Sequence, residues 1–274
     1  MEFSFEDINK ILKKYFGFDS FRNGQDEIVR SVLEGNNTLV VMPTGGGKSL
    51  CYQLPALISE GVAIVISPLI ALMKDQVDSL NRLGIPATFI NSSLPYAEIQ
   101  YRMEQAVRNV YKLIYIAPER LESRTFLDFL RNLNISFLTV DEAHCISEWG
   151  HDFRPSYLSI IKAIESIITP TVIALTATAT PEVQADIIKS LKMTNVNKFI
   201  RGFDRPNLSY QTERTSDKVS RIIEILDKTN EGSSIIYCGS RKRVEMFYND
   251  LRSKNIDCLA YHGGMKPELR KSVQ

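Results

Sequence analysis

Residues 38–49 read TLVVMPTGGGKS, and this stretch decides the fold class. Its first five residues are apolar or β-branched without alternation, which is the pattern of a strand covered on both faces. A glycine-rich loop that ends in Gly-Lys-Ser follows, and an apolar helical pattern begins directly after it. This order of strand, loop and helix is the context that a phosphate-binding loop requires.

The loop has the residue types that hold a nucleoside triphosphate. Its three glycines, residues 45–47, let backbone N–H groups point at phosphate oxygens. Lys48 is predicted to reach the β- and γ-phosphates, and Ser49 to bind Mg²⁺. The strict pattern G-x-x-x-x-G-K-[ST] is not met, because Met42 stands at its first position. A glycine-rich turn that happens to contain Gly-Lys-Ser is therefore the alternative.

A second strand pattern, residues 137–140, runs into the sequence DEAH at residues 141–144. Carboxyl ends of parallel strands are where an open α/β sheet places its site. We expect Asp141 to hold Mg²⁺, and Glu142 to orient and deprotonate the attacking water. A lone acidic pair is usually surface charge, but this one follows a strand downstream of a phosphate loop. The combination predicts nucleotide hydrolysis.

Similar β-branched runs alternate with helical patterns along the chain, which predicts an α/β fold with a parallel sheet flanked by helices. A helix is predicted to start at Pro181 with Thr180 as its N-cap. Turn-forming residues interrupt the pattern at 202–207, so we predict two domains, residues 1–207 and residues 208–274. The predicted strands are residues 38–42, 62–67, 87–90, 113–117, 137–141, 172–176, 234–238 and 257–261.

Composition excludes several classes of protein. The 274 residues include 33 Lys+Arg and 32 Asp+Glu, with 44% hydrophobic residues, so the chain is neither disordered nor a strongly basic binder. A modest basic excess after residue 200 fits either polyanion binding or a solvated surface. No secretory signal is visible, and the most apolar run, residues 61–73, is too short to span a bilayer. We therefore expect a cytoplasmic protein.

Four cysteines lie far apart, with no C-x-x-C pair among them. We expect no zinc site and no disulfide framework, and each cysteine is interpreted as a small buried hydrophobe. The three histidines lack ligand spacing, so we expect them to bind no metal. The cysteines are Cys51, Cys145, Cys238 and Cys258.

Taken together, the motifs resemble those of the RecQ DNA helicases, which belong to helicase superfamily 2 and carry a DEAH motif. The resemblance covers essentially the whole chain, and Met42 is the RecQ form of the loop. It rests on FRNGQ at residues 21–25, SPLIALMKDQ at 67–76, IAPERL at 116–121, DEAH at 141–144, CISEWGHDFRP at 145–155, ALTATA at 174–179, FDRPN at 203–207 and IYC at 236–238.

The resemblance implies a RecA-like P-loop domain followed by the start of a second RecA-like domain, the N-terminal part of a helicase core. The implied function is ATP-dependent 3′→5′ DNA unwinding in replication, recombination and repair, with ATP and Mg²⁺ as cofactors and single-stranded and duplex DNA as partners. The short segment before Phe21 is more like bacterial relatives, which would place the protein with the bacterial nucleoid.

The chain looks truncated before the arginine finger that such a motor requires. The alternative function is therefore a nucleotide- and single-stranded-DNA-binding fragment with little or no ATPase turnover. A P-loop ATPase that does not use DNA is a third interpretation.

The resemblance also implies roles for individual residues at the nucleotide site. A glutamine amide offers both a donor and an acceptor, so Gln25, with Arg22, would read the adenine edge. Ordinary surface or structural roles are the alternative for each of these polar residues. The implied catalytic residues are Glu142, Lys48 and Asp141; the nucleotide-binding residues are Arg22, Gln25, Thr44, Gly45, Gly46, Gly47, Lys48 and Ser49; the Mg²⁺ ligands are Ser49 and Asp141; and the coupling residues are His144, Thr176 and Thr178.

Residues 148–155, here called the aromatic-rich loop, contain the only tryptophan, Trp149. Planar side chains of this kind can stack on unpaired bases, a contact worth roughly 1–3 kcal/mol per base. The alternative is that Trp149 and Phe153 are core residues. With phosphate contacts included, the implied DNA-binding residues are Ser67, Lys74, Asn91, Ser92, Arg120, Trp149, His151, Phe153, Arg154, Ser240 and Arg241, with His262, Gly263 and Gly264 beside the last two.

Overall fold

A computed structural model of the chain describes residues 5–22, 24–150, 152–166, 171–201, 208–228 and 232–273. The chain divides into two compact units, Met1–Arg205 and Pro206–Gln274. The FDRPN motif at residues 203–207 lies outside the described residues. The domain boundary proposed at residues 207 and 208 stays a prediction.

The first unit is built on a seven-stranded sheet in which all pairs of neighbours run parallel. The order of its strands is β3-β4-β2-β5-β6-β1-β7. The α/β class with a parallel sheet flanked by helices is thus confirmed. The strands are β1 (Thr38–Val41), β2 (Val62–Ile66), β3 (Ala87–Ile90), β4 (Leu113–Ile116), β5 (Ile135–Val140), β6 (Thr171–Thr176) and β7 (Asn197–Ile200).

The inner strands are apolar throughout because helices cover both faces of the sheet. Every residue of β1, β2 and β4 is buried. Successive side chains of a strand point to opposite faces, so Leu39 and Ile64 join one apolar cluster while Val40 and Ala63 join another. The two clusters form the core on the two sides of the sheet.

Helices connect the strands of the first unit, and the predicted start of one of them is confirmed. The Thr180 hydroxyl caps α8 by accepting a bond from the Val183 N–H at 3.4 Å. None of the described helices has the length and apolar character that crossing a bilayer requires. The helices are α1 (Phe5–Ile11), α2 (Gln25–Leu33), α3 (Leu50–Ile58), α4 (Ile70–Arg82), α5 (Tyr96–Val107), α6 (Arg124–Arg131), α7 (Ile160–Ser166), α8 (Pro181–Ser190), α9 (Lys218–Lys228), α10 (Arg241–Ser253) and α11 (Pro267–Val273).

The strand order brings three loops together at one edge of the sheet. Strand β6 lies between β1 and β5, and the chain leaves all three at the carboxyl edge because they are parallel. Hydrogen bonds continue past the strand ends, from the Met42 N–H to Thr176 O at 3.1 Å and from the Asp141 N–H to Ile66 O at 2.9 Å. The loops after β1, β5 and β6 therefore start from fixed positions.

The strand predictions were wrong at three places. Strand β7 was not predicted, because its Asn-Lys-Phe-Ile sequence is half polar and lies mostly exposed at the sheet edge. Conversely, residues 234–238 and 257–261 form no strand, and the described part of the second unit contains only α9, α10 and α11. A β-branched sequence becomes a strand only when a neighbour pairs with it, and no strand pairs with these two segments among the described residues.

Candidate functional site

The glycine-rich loop, residues 43–49, joins β1 to α3 as a compact turn. The Gly46 N–H donates to Pro43 O at 3.0 Å, and the Leu50 N–H to Gly47 O at 3.2 Å. The Lys48 ammonium donates to Met42 O at 3.0 Å, at the end of β1. Lys48 is thus turned back along the strand end at the carboxyl edge.

Arg22 and Gln25, the predicted adenine-binding residues, contact this loop directly. The Gln25 amide donates to Gly47 O at 3.1 Å and accepts from the Arg22 N–H at 2.8 Å. The Arg22 guanidinium donates to Gly45 O at 2.7 Å. Both ends of the Gln25 amide are therefore engaged, and its side chain is buried.

Gly47 is favoured at its position chiefly by its backbone conformation. Its φ is +85°, a value that L side chains rarely adopt, and an added Cβ would lie 2.2 Å from Gln25 Nε2. The close contact between loop and Gln25 depends on the missing side chain.

Asp141 and Glu142 follow β5 at the same edge. Burial and the charge of Glu142 raise the pKa of Asp141 to about 6, against the opposing effects of the Glu142 N–H, Lys48 and His144. The loop lysine and the acidic pair both follow parallel strands at the carboxyl edge, so they lie on the same side of the sheet. The Tyr157 hydroxyl fixes the backbone here by donating to Asp141 O at 2.9 Å.

A polar chain leads from Glu142 to the end of β6. His144 Nδ1 lies 3.3 Å from Glu142 Oε2 and 2.8 Å from Thr176 Oγ1. The Thr176 hydroxyl in turn donates to Thr178 O at 3.1 Å. Cys145 and then Glu142 raise the pKa of His144 to about 9, which favours the charged imidazolium beside the carboxylate.

Glu142 itself holds an unusual backbone conformation, with φ at +48°. A non-glycine residue in this left-handed region costs about 1–3 kcal/mol and occurs most often at functional sites. This backbone conformation changes the direction of the chain after β5 and thereby sets where the Glu142 carboxylate lies.

The aromatic-rich loop lies next to the DEAH turn. The Trp149 side chain is 81% exposed, so the alternative that it is a core residue is wrong, whereas Phe153 is half-buried. Arg154 donates to Asp152 Oδ2 at 2.9 Å and to Pro68 O at 3.4 Å. His151 lies outside the described residues.

Close backbone contact joins this loop to the DEAH turn. An added Cβ on Gly150 would lie 2.6 Å from His144 O, so only glycine fits there. The Arg154 N–H also donates to Cys145 O at 2.9 Å. The position of the aromatic-rich loop is therefore set by the residues that follow Asp141 and Glu142.

Four of the predicted phosphate contacts lie after neighbouring strands at the carboxyl edge. Lys74 and Ser92 are exposed, while Ser67 is buried at the end of β2. Arg120 is partly buried and donates to Asn91 O at 2.8 Å. The structure thus brings these residues to the same side of the sheet as the glycine-rich loop.

Asn91 differs from expectation, because its side chain is completely buried. Its amide faces Met73 Sδ at 3.6 Å, and its Oδ1 accepts from the Ser93 N–H at 3.0 Å and the Ser93 hydroxyl at 2.6 Å. The side chain therefore shapes the turn after β3 and does not reach the surface.

The remaining predicted DNA-binding residues belong to the second unit. Ser240 caps α10 by accepting from the Arg243 N–H at 3.3 Å, and Arg241 is exposed. His262 Nε2 lies 2.6 Å from Glu245 Oε1, and its Nδ1 accepts from the Gly264 N–H at 3.1 Å. An ordinary structural role accounts for these contacts of His262.

Sequence reasoning missed two features of the site. The support of Asp141 by the Tyr157 hydroxyl is one, and the approach of Asp152 to His144 and Cys145 is the other. Neither follows a spacing rule, since both depend on how the chain turns after β5. A buried tyrosine that follows the DEAH motif closely is the one signal that was available.

Comparison with known proteins agrees with this geometry. A family model described as DEAD/DEAH box helicase matches residues 22–187. The chain is 46% identical over 266 residues to the ATP-dependent DNA helicase RecQ of Bacillus subtilis, covering 96% of this chain and 45% of that protein. It is 43% identical over 264 residues to RecQ of Haemophilus influenzae, covering 96% of this chain and 43% of that protein.

Two solved structures share the fold at low sequence identity. A crystal structure of DUF1998 helicase MrfA bound to DNA and AMPPNP matches with a TM-score of 0.70 at 19% identity, over 97% of this chain and 41% of that chain. The structure of Mycobacterium smegmatis helicase Lhr bound to ssDNA and AMP-PNP matches with a TM-score of 0.67 at 21% identity. The match covers 96% of this chain and 39% of that chain.

The parallel sheet with its glycine-rich loop and acidic strand end defines a RecA-like helicase domain of the P-loop class. The chain belongs to the DEAD/DEAH box helicase family. Within that family its similarity is to the RecQ helicases, and it spans less than half the length of the two RecQ proteins compared above.

Proposed function

We propose that this chain is the ATP-binding part of a RecQ-type motor that couples ATP hydrolysis to 3′→5′ DNA unwinding in replication, recombination and repair. The observation that carries the proposal is the meeting of the glycine-rich loop, the acidic pair and Thr176 at one edge of the sheet. The similarity to RecQ helicases, at 46% identity in one case, supports DNA as the substrate.

The loop residues are proposed to bind the triphosphate. Backbone N–H groups of residues 44–49 and the start of α3 suit an anion, since both present positive partial charge. Lys48 now donates to Met42 O, and the Gln25 amide to Gly47 O. We propose that phosphate replaces the first of these partners and that adenine competes for the second.

The oxygen donors at this edge fit a magnesium ion that enters with ATP. Ser49 and Asp141 are proposed to hold it, because Mg²⁺ prefers hydroxyl and carboxylate oxygens together with phosphates. The raised pKa of Asp141 marks a carboxylate that burial makes costly to ionise, and a nearby cation offsets that cost. When bound, the ion neutralises charge on the phosphate oxygens.

Glu142 is proposed to orient and deprotonate the attacking water. Its carboxylate lies 3.3 Å from His144 Nδ1, which gives the proposed general base a fixed partner. His144 also contacts Thr176, so a movement of the Glu142 side chain would change the position of Thr176 at the end of β6. We propose that this polar chain, which ends at Thr178, links hydrolysis to DNA binding.

The aromatic-rich loop is proposed to hold single-stranded DNA. An exposed tryptophan beside a partly exposed arginine suits base stacking together with phosphate pairing. Trp149 and Arg154 carry this part of the proposal, with His151 and Phe153 as further stacking groups. Lys74, Ser92 and Arg120 are proposed to follow the phosphate backbone from neighbouring loops.

A second candidate function is a nucleotide- and single-strand-binding module with little turnover. The second unit favours it, because Ile235 is 77% exposed and Tyr237 is 92% exposed on segments that form no strand. The described residues of this unit therefore place no side chain at a strand end, where the first unit places its candidate site.

Measuring ATP turnover with and without single-stranded DNA separates the two functions. The motor predicts DNA-stimulated hydrolysis that Glu142→Gln lowers at least about 100-fold, as loss of a general base does. Glu60→Gln is the matched control, since Glu60 is exposed and precedes β2 at the opposite edge of the sheet. Background turnover by a chain that binds ATP would instead support the binding module.

A further inference from the structure

His144, which the proposed function uses for coupling, also belongs to a group of potential metal ligands in the described part of the chain. The potential ligand atoms of His144, Cys145 and Asp152 all lie within 4.8 Å of one another. His144 and Cys145 are buried in the turn after the acidic pair, and Asp152 is exposed in the aromatic-rich loop. Each side chain comes with a different ligand type, an imidazole nitrogen, a sulfur and a carboxylate oxygen.

The distances suit a tetrahedral ion. Cys145 Sγ lies 3.8 Å from His144 Nε2 and 3.8 Å from Asp152 Oδ2. Zinc binds sulfur at about 2.3 Å and nitrogen or oxygen at about 2.0 Å, which at tetrahedral angles places the ligand atoms about 3.5 Å apart. The two pairs that include Cys145 therefore need to close by only a few tenths of an ångström, and the His144–Asp152 pair, whose ligand atoms lie within 4.8 Å, by at most about 1.3 Å.

The second nitrogen of His144 is already oriented as in metal-binding histidines. Its Nδ1 lies 2.8 Å from Thr176 Oγ1 and 3.3 Å from Glu142 Oε2, so Nε2 is the nitrogen that faces Cys145. A carboxylate or hydroxyl on the far nitrogen fixes the ring and raises its strength as a ligand.

We propose that His144, Cys145 and Asp152 form a site for a divalent transition metal of the zinc class, with a water in the fourth position. The mixture of imidazole, thiolate and one carboxylate favours Zn²⁺ over the all-oxygen ions Mg²⁺ and Ca²⁺. Binding releases the protons of His144 Nε2 and of the Cys145 thiol, because both must be proton-free to bind the ion.

Arg154 opposes the ion. Its guanidinium occupies Asp152 Oδ2 through bonds of 2.9 Å and 3.2 Å, and its charge repels a cation at the same carboxylate. A bound metal therefore releases Arg154 or forces it to share Asp152. The metal would at the same time tie the aromatic-rich loop to the turn that carries His144.

The test is a titration of the whole chain with Co²⁺, a spectroscopic substitute for Zn²⁺, followed by displacement with Zn²⁺. We expect a thiolate-to-cobalt charge-transfer band at one equivalent in the wild-type chain and in Cys51→Ser, which removes another buried thiol. Cys145→Ser should abolish the band, and Asp152→Asn should weaken Zn²⁺ binding at least about tenfold.

Arg154→Gln distinguishes metal binding from a structural role of the Asp152–Arg154 pair. If the carboxylate is a ligand, removing the competing guanidinium tightens Zn²⁺ binding while Asp152→Asn weakens it, so the two variants move in opposite directions. The proposal is overturned by a wild-type spectrum without the thiolate band, by a band that persists in Cys145→Ser, or by equal Zn²⁺ affinity in wild type and Asp152→Asn. The last comparison does not depend on the folding of the buried cysteine variant, because Asp152 is exposed.

Discussion

Asp141 illustrates at the scale of one residue how a functional group can weaken the fold that holds it. Burial and the neighbouring Glu142 raise the pKa of Asp141 to about 6, well above its ordinary value of 3.8. The native state therefore binds a proton more tightly than the unfolded state does. Perturbed carboxyls of this kind concentrate at functional sites, where a cation or substrate restores the balance.

The pH dependence follows from the sign of that shift. As pH rises from about 4 to about 6, the unfolded state releases the Asp141 proton first, so this group lowers the free energy of unfolding. Above about pH 6 the decrease in the free energy of unfolding caused by Asp141 is complete. In metal-free buffer at pH 7 we therefore expect Asp141→Asn to raise the free energy of unfolding by up to about 3 kcal/mol, with little gain at pH 4.

Urea unfolding followed by circular dichroism checks this prediction. The matched control is Asp78→Asn on the exposed side of α4, which we expect to change stability by less than about 0.5 kcal/mol. A loss of stability in Asp141→Asn at pH 7, or a gain of the same size at pH 4 and pH 7, would contradict the assigned shift.

At the scale of the element, β5 carries an unused polar group. The Thr139 hydroxyl is completely buried in the described structure and has no hydrogen-bond partner. Thr38 of β1 is equally buried, but its hydroxyl lies 2.8 Å from Ser31 Oγ and donates to Asn36 O at 2.9 Å. The same substitution should therefore have opposite effects in the two strands.

We expect Thr139→Val to raise the free energy of unfolding by about 1 kcal/mol, because it removes an unsatisfied hydroxyl while keeping the shape of the side chain. Thr38→Val should lower it by about 1–3 kcal/mol, since it removes the hydrogen bonds to Ser31 Oγ and Asn36 O from a buried site. Urea unfolding of both variants measures the contrast. If both variants change the free energy of unfolding in the same direction, the two hydroxyl environments are not those described.

The polar chain at the end of β6 gives a prediction about coupling. Thr176→Val removes the hydroxyl that contacts His144 and should leave ATP affinity unchanged while reducing DNA stimulation of ATPase about tenfold. Thr171→Val is the control, because it makes the same change at the other end of the strand, where the hydroxyl bonds to Gly35 O. If DNA stimulates the ATPase activity of the two variants equally, Thr176 has no coupling role.

Which elements the sequence could predict depended on their burial. Six strands of the first unit have buried, β-branched sequences, and each was placed within two residues of its observed ends. Strand β7 has Asn197 and Lys198 exposed at the edge of the sheet, so its sequence lacks that pattern. Residues 234–238 have the pattern, but pairing decides whether a strand forms, and pairing depends on the rest of the fold.

The site follows the same logic. Residues 43–49 and 141–144 are continuous motifs, so the sequence alone predicts a chemistry for them. The contact of His144 with Thr176 and the burial of Asn91 join or hide residues through the sheet. The closeness of Asp152 to Cys145 arises from the turn between them. Such contacts depend on three-dimensional packing, for which no spacing in the sequence gives a signal.

At the scale of the whole molecule, a net charge of +1 gives little overall attraction for DNA, so the proposed DNA contacts must be local. Trp149, the only tryptophan, is exposed and belongs to one of the proposed contacts, so its emission can test that contact. We expect its fluorescence to change on addition of single-stranded DNA, saturably and with an affinity that falls as salt increases. Unchanged emission under conditions where DNA anisotropy shows binding would exclude the aromatic-rich loop as the contact.

The central claim is that the glycine-rich loop at the carboxyl edge binds ATP with Mg²⁺, and calorimetric titration of the chain with ATP·Mg²⁺ tests it most directly. We predict saturable binding that Lys48→Ala weakens at least about tenfold, because it removes a charge from the phosphates. Lys189→Ala, an exposed lysine on α8, should bind as the wild type does. Equal ATP affinity in Lys48→Ala and wild type would contradict the account.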